Sequence, residues 1–448
     1  MENRKSDFLN GAILSPLLRF AGPVLLALFL QAMYGAVDLI VVGKFAGTAD
    51  ISAVSTGSQA MQLVTSLLVG LTTGVTVLLG QKIGEGKPDE AGSVVGSAIC
   101  LFVCVALALT ALLTVLTEPF CRLLQAPEEA FVPTAQYVRI CSAGTLFIVA
   151  FNVIGSVFRG LGDSKMPLIT VAIACVTNIF GDLLLVDVLQ MGAAGAALAT
   201  VFAQAISVIL SLLVIMRQKL PFTFRKEQLR FDRPLTAGIL RLGIPIALQD
   251  VLVGVSFLVI LAIVNSLGLL QSAGMGIAEK VCAFVMLLPS AFSQSVSAFV
   301  AQNTGAGKPE RAKKALRCGV IVSLCISVFV FYFNFFHGDL LAGIFANDRA
   351  VILEAADYLK AYAIDCLLTS FLFCFVGYFS GLGKTVFVMT QGILGAFGVR
   401  IPVSFAMSRL PNVRLFYIGL ATPCSTVVQV LLCLGYYAHL ARKERGTR

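Results

Sequence analysis

The chain has 448 residues, of which 58% are hydrophobic, and its mean hydropathy is +0.92. This composition excludes a soluble globular protein, because too little polar surface would remain to face water. The formal net charge of +9 does not indicate nucleic-acid binding, since the basic residues lie in short loops between apolar runs and form no basic domain. The sequence therefore predicts an all-α polytopic membrane protein that is embedded in the lipid bilayer.

Twelve apolar runs are long enough to be predicted as membrane-spanning helices. They cover residues 20–42, 53–79, 93–117, 134–157, 166–188, 193–216, 236–267, 274–302, 316–337, 356–379, 385–408 and 414–440. Residues 217–234 form the longest polar gap and are rich in Arg and Lys, so we predict a cytoplasmic linker there. It would join an N-terminal six-helix bundle, residues 1–216, to a C-terminal one, residues 235–448. Most Lys and Arg residues fall on the side of the chain ends, which predicts that both termini are cytoplasmic.

The first apolar run, FAGPVLLALFLQAMYGAVDLIVV, contains one carboxylate, Asp38. Gln31, Tyr34 and Asp38 follow one another at spacings of three and four, so a helix places them on one face. A carboxylate inside a span costs at least about 2.5 kcal/mol on insertion scales, which favours a functional site. The alternative interpretation is that Asp38, close to the end of the run, reaches the lipid headgroups.

The fifth run carries Asn178 and Asp182 one helical turn apart. It has the same direction as the first run, so Asp38 and Asp182 are expected at similar depth in the outer half of the first bundle. If the two helices are neighbours, one acid stays protonated or both share a cation. Thr200, near the start of the sixth run, adds a hydroxyl at that level. Such oxygen ligands suit Na⁺ or a proton rather than a soft metal.

The second half has a different set of charged residues in its spans. Asp250, Glu279 and Asp365 are candidate substrate-binding acids there, together with Gln31 and Tyr34 of the first half. Arg400 and Asp365 lie at similar distances from the short turn that joins their runs, so we predict a structural ion pair between them. This pair would leave Asp250 and Glu279 as the freer acids for a cationic substrate. A purely structural network of ion pairs explains these residues equally well.

Short motifs recur in both halves at one spacing. Residues 84–88, GEGKP, return as residues 305–309, GAGKP, and residues 158–162, FRGLG, return as residues 379–383, FSGLG. Several separated motifs that recur at one spacing indicate a duplicated unit. Because six spans is an even number, the halves are expected to be parallel repeats with a shared cavity. The glycine motifs lack the GK[ST] of a phosphate-binding loop, and we interpret them as turns.

The 12 Cys residues lie mostly within apolar runs and form no CxxC pair, while the two His residues, His337 and His439, are far apart in the sequence. We therefore expect small buried hydrophobic side chains rather than a thiolate or imidazole metal site. No cofactor is expected, and the only metal ion that the sequence suggests is Na⁺ at the acids described above.

The stretch QAMYGAVDLIVVGKFAG resembles the first-span signature of the multidrug and toxic compound extrusion (MATE) family. FRGLGDSKMPL, NIFGDLLLV and MGAAGAALATVFAQ resemble further motifs of this family, as do FVAQNTGAGKPERAKKAL and FSGLGKT in the second half. The resemblance covers essentially the whole chain. It implies two six-helix bundles in a V-shaped arrangement and export of cationic, amphipathic compounds in exchange for H⁺ or Na⁺. It also implies cation-site roles for Asp38, Asn178, Asp182 and Thr200.

The chain departs from the family at Thr369, where some members carry an acid, and has Asp365 one turn earlier. We expect a monomeric antiporter of the inner or plasma membrane that works by alternating access on small organic cations. A flippase for lipid-linked oligosaccharides or lipids, with a related fold, is the alternative. A carrier of the major facilitator type is disfavoured, since GQKIGEGKPDEAGS lacks the GxxxDRxGRR loop. An enzyme is disfavoured because HExxH and GxSxG are absent, and a channel because the polar residues are few and clustered.

Overall fold

The computed structural model describes residues 8–124, 126–217, 220, 222 and 224–446, and all regular secondary structure within them is helical. The α-helices are α1 Leu14–Phe45, α2 Thr48–Gly84, α3 Pro88–Val115, α4 Thr117–Leu123, α5 Phe131–Ala143, α6 Thr145–Leu161, α7 Lys165–Asp182, α8 Gly192–Arg217, α9 Arg233–Asn265, α10 Leu269–Val285, α11 Leu287–Gly305, α12 Pro309–Phe336, α13 Gly338–Gly343, α14 Arg349–Gly381, α15 Thr385–Ile393, α16 Ile401–Ser408, α17 Leu415–Gly419 and α18 Ala421–Gly446. Short 3₁₀ helices cover Glu128–Ala130 and Lys226–Gln228, and π-helices cover Leu183–Val188 and Leu394–Arg400.

The helices confirm the predicted all-α polytopic fold. Eleven helical segments of the described residues are long and apolar enough to cross a membrane, and a bent pair, Glu128–Ala143 with Thr145–Leu161, brings the total to twelve. The bend of 54° falls at Gly144, so the predicted span 134–157 is not one straight helix. Gly144 lies against Val201, and the absence of a side chain allows this approach while weakening the helix at that point.

The chain divides into two compact units. The first contains Met1–Gly11, Leu18–Ala247 and Ala301–Lys308, and the second contains Ala12–Leu17, Leu248–Val300 and Pro309–Arg448. The predicted linker, residues 217–234, lies partly outside the described residues, and the division of the chain at that linker stays a prediction from the repeat.

The duplication is visible in the backbone of the two glycine motifs. Gly86 and its counterpart Gly307 have φ angles of 71° and 65°, and Gly162 and its counterpart Gly383 have φ angles of 79° and 74°. This left-handed conformation favours glycine, because other residues place Cβ too close to the backbone there. The motifs are therefore turns at the ends of α2, α6, α11 and α14, as the sequence predicts.

The two GxGKP turns have nevertheless diverged in their contacts. Lys87 forms ion pairs of 3.1 Å with Glu85 and 3.2 Å with Glu90, and hydrogen bonds with these acids raise the pKa of Lys87. Its counterpart Lys308 instead donates a hydrogen bond of 2.7 Å to the carbonyl oxygen of Leu9. The second motif therefore holds the N-terminal segment, whereas the first forms a local ion network.

In the first unit, α7 packs along α8 through small residues, and this packing positions the candidate site. A Cβ built on Gly181 would lie 2.9 Å from Cβ of Ala199, so the absence of a side chain at Gly181 lets the two helices approach closely. The start of α8 is also fixed, because the backbone N–H of Ala193 donates a hydrogen bond of 2.8 Å to Oδ1 of Asp50 in α2. As a result, the polar residues of α7 face those of α8 at a defined level.

In the second unit, α14 lies at the centre. Its residues Tyr358, Leu359 and Tyr362 are buried in an apolar core with Met275 of α10 and Ile418 of α17. α14 packs against α10, α12 and α18, and α18 packs against the π-helix Leu394–Arg400. This arrangement places Asp365 of α14 and Arg400 inside the same unit.

Candidate functional site

The predicted polar face of α1 is present in the structure. Asp38 is 5% exposed, so it does not reach the headgroups as an exposed side chain would. Tyr34, one turn earlier, and Gln31, two turns earlier, are partly buried and interact with each other. The face therefore packs against protein in the first unit, and the buried carboxylate of Asp38 requires polar partners.

A chain of hydrogen bonds links α7, α8 and α1 through these polar groups. Nδ2 of Asn178 donates to Oγ1 of Thr200 at 3.4 Å, and this hydroxyl donates to Oδ2 of Asp38 at 3.4 Å. The sequence predicted Thr200 at the level of Asp38, the family resemblance implied a common site with Asn178, and the structure brings the three together. Each hydrogen bond is long, so the polar atoms of the cluster are close together but not tightly packed.

Asp182 completes this cluster. It is fully buried, and its carboxyl group lies in the electrostatic field of Asp38. Both carboxyl oxygens of Asp182, Oδ1 of Asp38 and Oδ1 of Asn178 have no hydrogen-bond partner among the described residues. Buried acceptor oxygens without donors are costly, and two nearby carboxylates repel each other. A shared proton or a hard cation such as Na⁺ satisfies both requirements, because carboxylate, amide and hydroxyl oxygens are suitable ligands.

Two further polar residues, which the sequence reasoning missed, border the cluster. The side chain of Gln204 interacts with Tyr34, and buried Tyr137 lies in the electrostatic field of Asp38 and Asp182. Gln204 follows Thr200 by one helical turn, so the same spacing rule that linked Asn178 to Asp182 could have identified it. Tyr137 gave no comparable signal, because no other residue of the cluster lies in its run, which the structure shows to be bent.

The second unit does not form the predicted direct ion pair. Nη1 of Arg400 donates a hydrogen bond of 3.1 Å to Oγ of Ser256, and the guanidinium lies 4.4 Å from the ring centre of Phe257. Arg400 and Asp365 interact through their charges without reaching salt-bridge distance. Both residues lie in one region, as their predicted depths suggest, but α9 supplies the nearer partners of Arg400. Nothing in the sequence indicates that α9 adjoins Arg400.

The remaining candidate acids of the second unit occupy different surroundings. Asp250 is half-buried in α9 and forms no ion pair within the part of the chain that the structure describes. Glu279 is half-buried in α10 and lies in the electrostatic surroundings of Tyr358 and Cys282. An ion pair of this unit that was not predicted joins Arg414 to Asp357, which also accepts the backbone N–H of Phe416 at 3.1 Å.

The chain matches a family model and known proteins over most of its length. The MatE family model matches residues 23–184 and 245–406, once in each repeat. The chain is 26% identical to the probable multidrug resistance protein YoeA of Bacillus subtilis, over 96% of this chain and 94% of that protein. It is also 26% identical to a protein named FAD transporter of Shewanella oneidensis, over 78% of each chain. The crystal structure of a MATE protein in complex with MaL6 has the same fold, with a TM-score of 0.93 and 17% identity over 99% of this chain and 100% of that one.

The two family matches cover most of the chain, and each contains one copy of both glycine motifs. They include both spans that carry the buried acids of the first unit. The resemblance inferred from the motifs is therefore confirmed, and the chain belongs to the MATE family of multidrug efflux transporters.

Proposed function

We propose that this protein is a secondary active antiporter that exports cationic, amphipathic compounds in exchange for H⁺ or Na⁺. The observation that carries the proposal is the buried pair of interacting carboxyl groups, Asp38 and Asp182, with acceptor oxygens that lack donors. Asn178 and Thr200 supply further oxygen atoms at the same level. Such a cluster is stable when it holds a proton or a cation and is destabilised by charge repulsion when it holds neither.

This difference in energy supplies a driving force for alternating access. A cation shifts a conformational equilibrium only if it binds one state more tightly than the other. In the present arrangement the cluster draws on three helices, α1, α7 and α8, so a small displacement of α1 would separate Asp38 from Asp182 and Thr200. Release of the cation would then accompany that displacement, and the reverse displacement would restore the site.

For the substrate, we propose contacts with polar side chains that the sequence singles out within the spans. Gln31 and Tyr34 lie next to the cation cluster, and an aromatic ring such as Tyr34 attracts organic cations through its π-face. Asp250 and Glu279 are the acids that the second unit offers to a positively charged compound, because Asp365 interacts with the charge of Arg400. We further propose that the protein acts as a monomer in the inner or plasma membrane with both termini in the cytoplasm, uses no cofactor, binds no nucleic acid and catalyses no covalent reaction.

Everted membrane vesicles test the proposal directly. The lumen is made either acidic or rich in Na⁺, in separate experiments, and accumulation of ethidium in the lumen is followed by fluorescence. We expect accumulation with one of the two gradients, and loss of accumulation in Asp38→Asn. Glu129→Gln is the matched control, because Glu129 is an exposed acid in a 3₁₀ turn. Absence of accumulation with both gradients would contradict the proposed antiport.

The alternative substrates can be distinguished in the same vesicles. If the substrate is a lipid-linked oligosaccharide, the vesicles would flip this lipid, and neither the H⁺ nor the Na⁺ gradient would drive accumulation of ethidium. FAD is a second candidate, because one relative is named an FAD transporter and the second unit holds the buried positive charge of Arg400. Gradient-driven uptake of labelled FAD, without ethidium uptake, would favour that substrate over organic cations.

A further inference from the structure

Arg400 is a buried positive charge that the proposed cation exchange does not use. It is 5% exposed and is the last residue of the π-helix Leu394–Arg400. This π-helix is fastened to α18, because Oγ of Ser425 donates a hydrogen bond of 2.7 Å to the carbonyl oxygen of Gly395. Short π-helices inside α-helices are frequent at functional sites. The backbone of the π-helix therefore holds Arg400 inside the protein rather than at its surface.

The guanidinium of Arg400 has protein contacts on one side and, on the other, an N–H that no described residue satisfies. Ser256 and Phe257 of α9 hold Nη1 and the face of the guanidinium, as described above, whereas Nε of Arg400 has no hydrogen-bond partner among the described residues. Neither Ser256 nor Phe257 carries a charge. The charge of Arg400 is therefore not cancelled by its direct contacts, and an arginine at this depth requires a nearby anion.

Asp365 of α14 is the anion in question. It is 2% exposed, its Oδ1 has no hydrogen-bond partner in the described residues, and it interacts with the charge of Arg400 and with the hydroxyl of Thr426. The other titratable groups that face this pair are Tyr358 and Tyr362 near Arg400, Cys366 and Cys282 near Asp365, and Glu279 near Cys282. None of these groups supplies a second positive charge, so Arg400 is the cation that balances Asp365.

The first unit has the opposite arrangement. Asp38 and Asp182 interact with each other, and no Lys or Arg contributes to the surroundings of either acid within the described residues. The first unit therefore needs a cation from outside the chain, whereas the second unit carries its cation as a side chain. The two repeats share a backbone plan but differ in how they neutralise buried acid.

We propose that Arg400 is a tethered counter-cation for Asp365, which excludes coupling cations from the second unit and confines them to Asp38 and Asp182. This role determines how many cations are exchanged for each substrate, and it rests on the proposed antiport. Removal of the guanidinium in Arg400→Gln would leave Asp365 without a balancing charge. Asp365 would then take up a cation of its own during the transport cycle.

The number of cations exchanged per substrate is measured in proteoliposomes. At a fixed ethidium gradient, the opposing H⁺ or Na⁺ gradient is varied until the net ethidium flux is zero, and the balance point gives the ratio. We expect one additional cation per substrate in Arg400→Gln, and the wild-type ratio in Arg400→Lys, in Ser256→Ala and in the double variant Arg400→Gln with Asp365→Asn. A ratio in Arg400→Gln equal to that of the wild type would overturn the proposal.

A second measurement does not depend on transport and remains informative if Arg400→Gln moves no ethidium. Purified protein is treated with dicyclohexylcarbodiimide, which modifies protonated carboxyl groups in membranes, and modification of each acid is read by peptide mass spectrometry. We expect Asp365 to be modified several-fold more in Arg400→Gln than in the wild type or Arg400→Lys. Equal modification of Asp365 in the three proteins would contradict the role of Arg400. A wild-type protein without gradient-driven ethidium transport would contradict the antiport alone, since the modification of Asp365 would still be measured.

Discussion

Oγ1 of Thr200 donates a hydrogen bond of 3.4 Å to Oδ2 of Asp38 and accepts one of 3.4 Å from Nδ2 of Asn178. One hydroxyl on α8 therefore connects the acid of α1 with the amide of α7. The acid is buried, so Thr200 contributes both to the orientation of the carboxylate and to the set of oxygen atoms available to a cation. The consequences of removing this hydroxyl can be measured.

We predict that Thr200→Val weakens binding of the coupling cation by about tenfold or more, because a hydrogen bond to a charged group contributes about 1.5–3 kcal/mol. Thr200→Ser keeps the hydroxyl and should retain most of the affinity. The cation concentration that gives half-maximal ethidium transport provides the measurement. Thr390→Val is the control, because Thr390 is an exposed residue whose hydroxyl donates to the carbonyl of Val386, within its own helix, at 2.9 Å. Equal effects at both positions would exclude a specific role for Thr200.

The acids of the first unit should act as one unit. We predict that Asp38→Asn and Asp182→Asn each abolish gradient-driven transport, and that the double variant is no worse than either single variant, since each removes the shared cation. Each protein should remain folded, because a neutral amide replaces a buried carboxyl of the same shape. Transport is measured in proteoliposomes, and folding by size-exclusion chromatography. Full transport by either single variant would show that the two acids are not coupled.

Much of this site could be predicted from the sequence, because helical spacing alone places Asn178 above Asp182 and Tyr34 near Asp38. The direction of the spans then gave the common depth of Asp38 and Asp182. Which helices adjoin each other could not be obtained in this way, since lipid-facing and protein-facing apolar residues look alike in sequence. For that reason Tyr137 was missed, whereas Gln204, one helical turn after Thr200, could have been identified by spacing.

The same limitation explains the error in the second half. Depth and chain neighbourhood suggested that Asp365 and Arg400 touch, but Arg400 ends a π-helix, whose wider turn alters the direction in which its side chain points. Ser256 and Phe257 of α9 then become its nearest partners. A π-helix has no reliable sequence signature. The change that it makes in the direction of the Arg400 side chain could therefore not be predicted from residue spacing.

The predicted topology can be tested with single cysteines. We expect Glu227→Cys, in the described part of the linker, to react with a membrane-impermeant maleimide only in everted vesicles, because basic loops stay in the cytoplasm. Asn347→Cys, an exposed residue between α13 and α14, should react only in intact cells. The parent protein has three exposed native cysteines, Cys104, Cys325 and Cys424, and its own reaction is subtracted. Reaction of Glu227→Cys from outside intact cells would reverse the topology.

The turn after α6 provides a prediction on stability. Gly162 has a φ of 79°, and a Cβ there would lie 3.0 Å from Nε2 of Gln302, which donates a hydrogen bond of 2.9 Å to the carbonyl of Gly160. Gly162→Ala should lower stability by the left-handed strain of about 1–2 kcal/mol and by displacement of this amide. Gly86→Ala is the matched control, because Gly86 has a φ of 71° and open space around its Cβ position.

The comparison is made by thermal melting of the two variants in one detergent. We expect both to melt below the wild type and Gly162→Ala to melt below Gly86→Ala. If the two variants melted at one temperature, the contact between Gly162 and Gln302 would contribute nothing beyond backbone strain.

The last prediction concerns the energetic coupling of Asp365 and Arg400. Both are almost fully buried, and each is the counter-charge of the other at a distance longer than a salt bridge. Removing one charge leaves the other unbalanced in a medium of low dielectric constant, with a cost below the roughly 3–5 kcal/mol found for direct buried pairs. We therefore expect Asp365→Asn and Arg400→Gln to lower the melting temperature individually, and the double variant to lose less than the sum of the two losses. Ser256→Ala, which removes one hydrogen bond and no charge, should cost about 1 kcal/mol and serves as the reference. Additive losses in the double variant would mean that the two charges do not stabilise each other, because independent sites add.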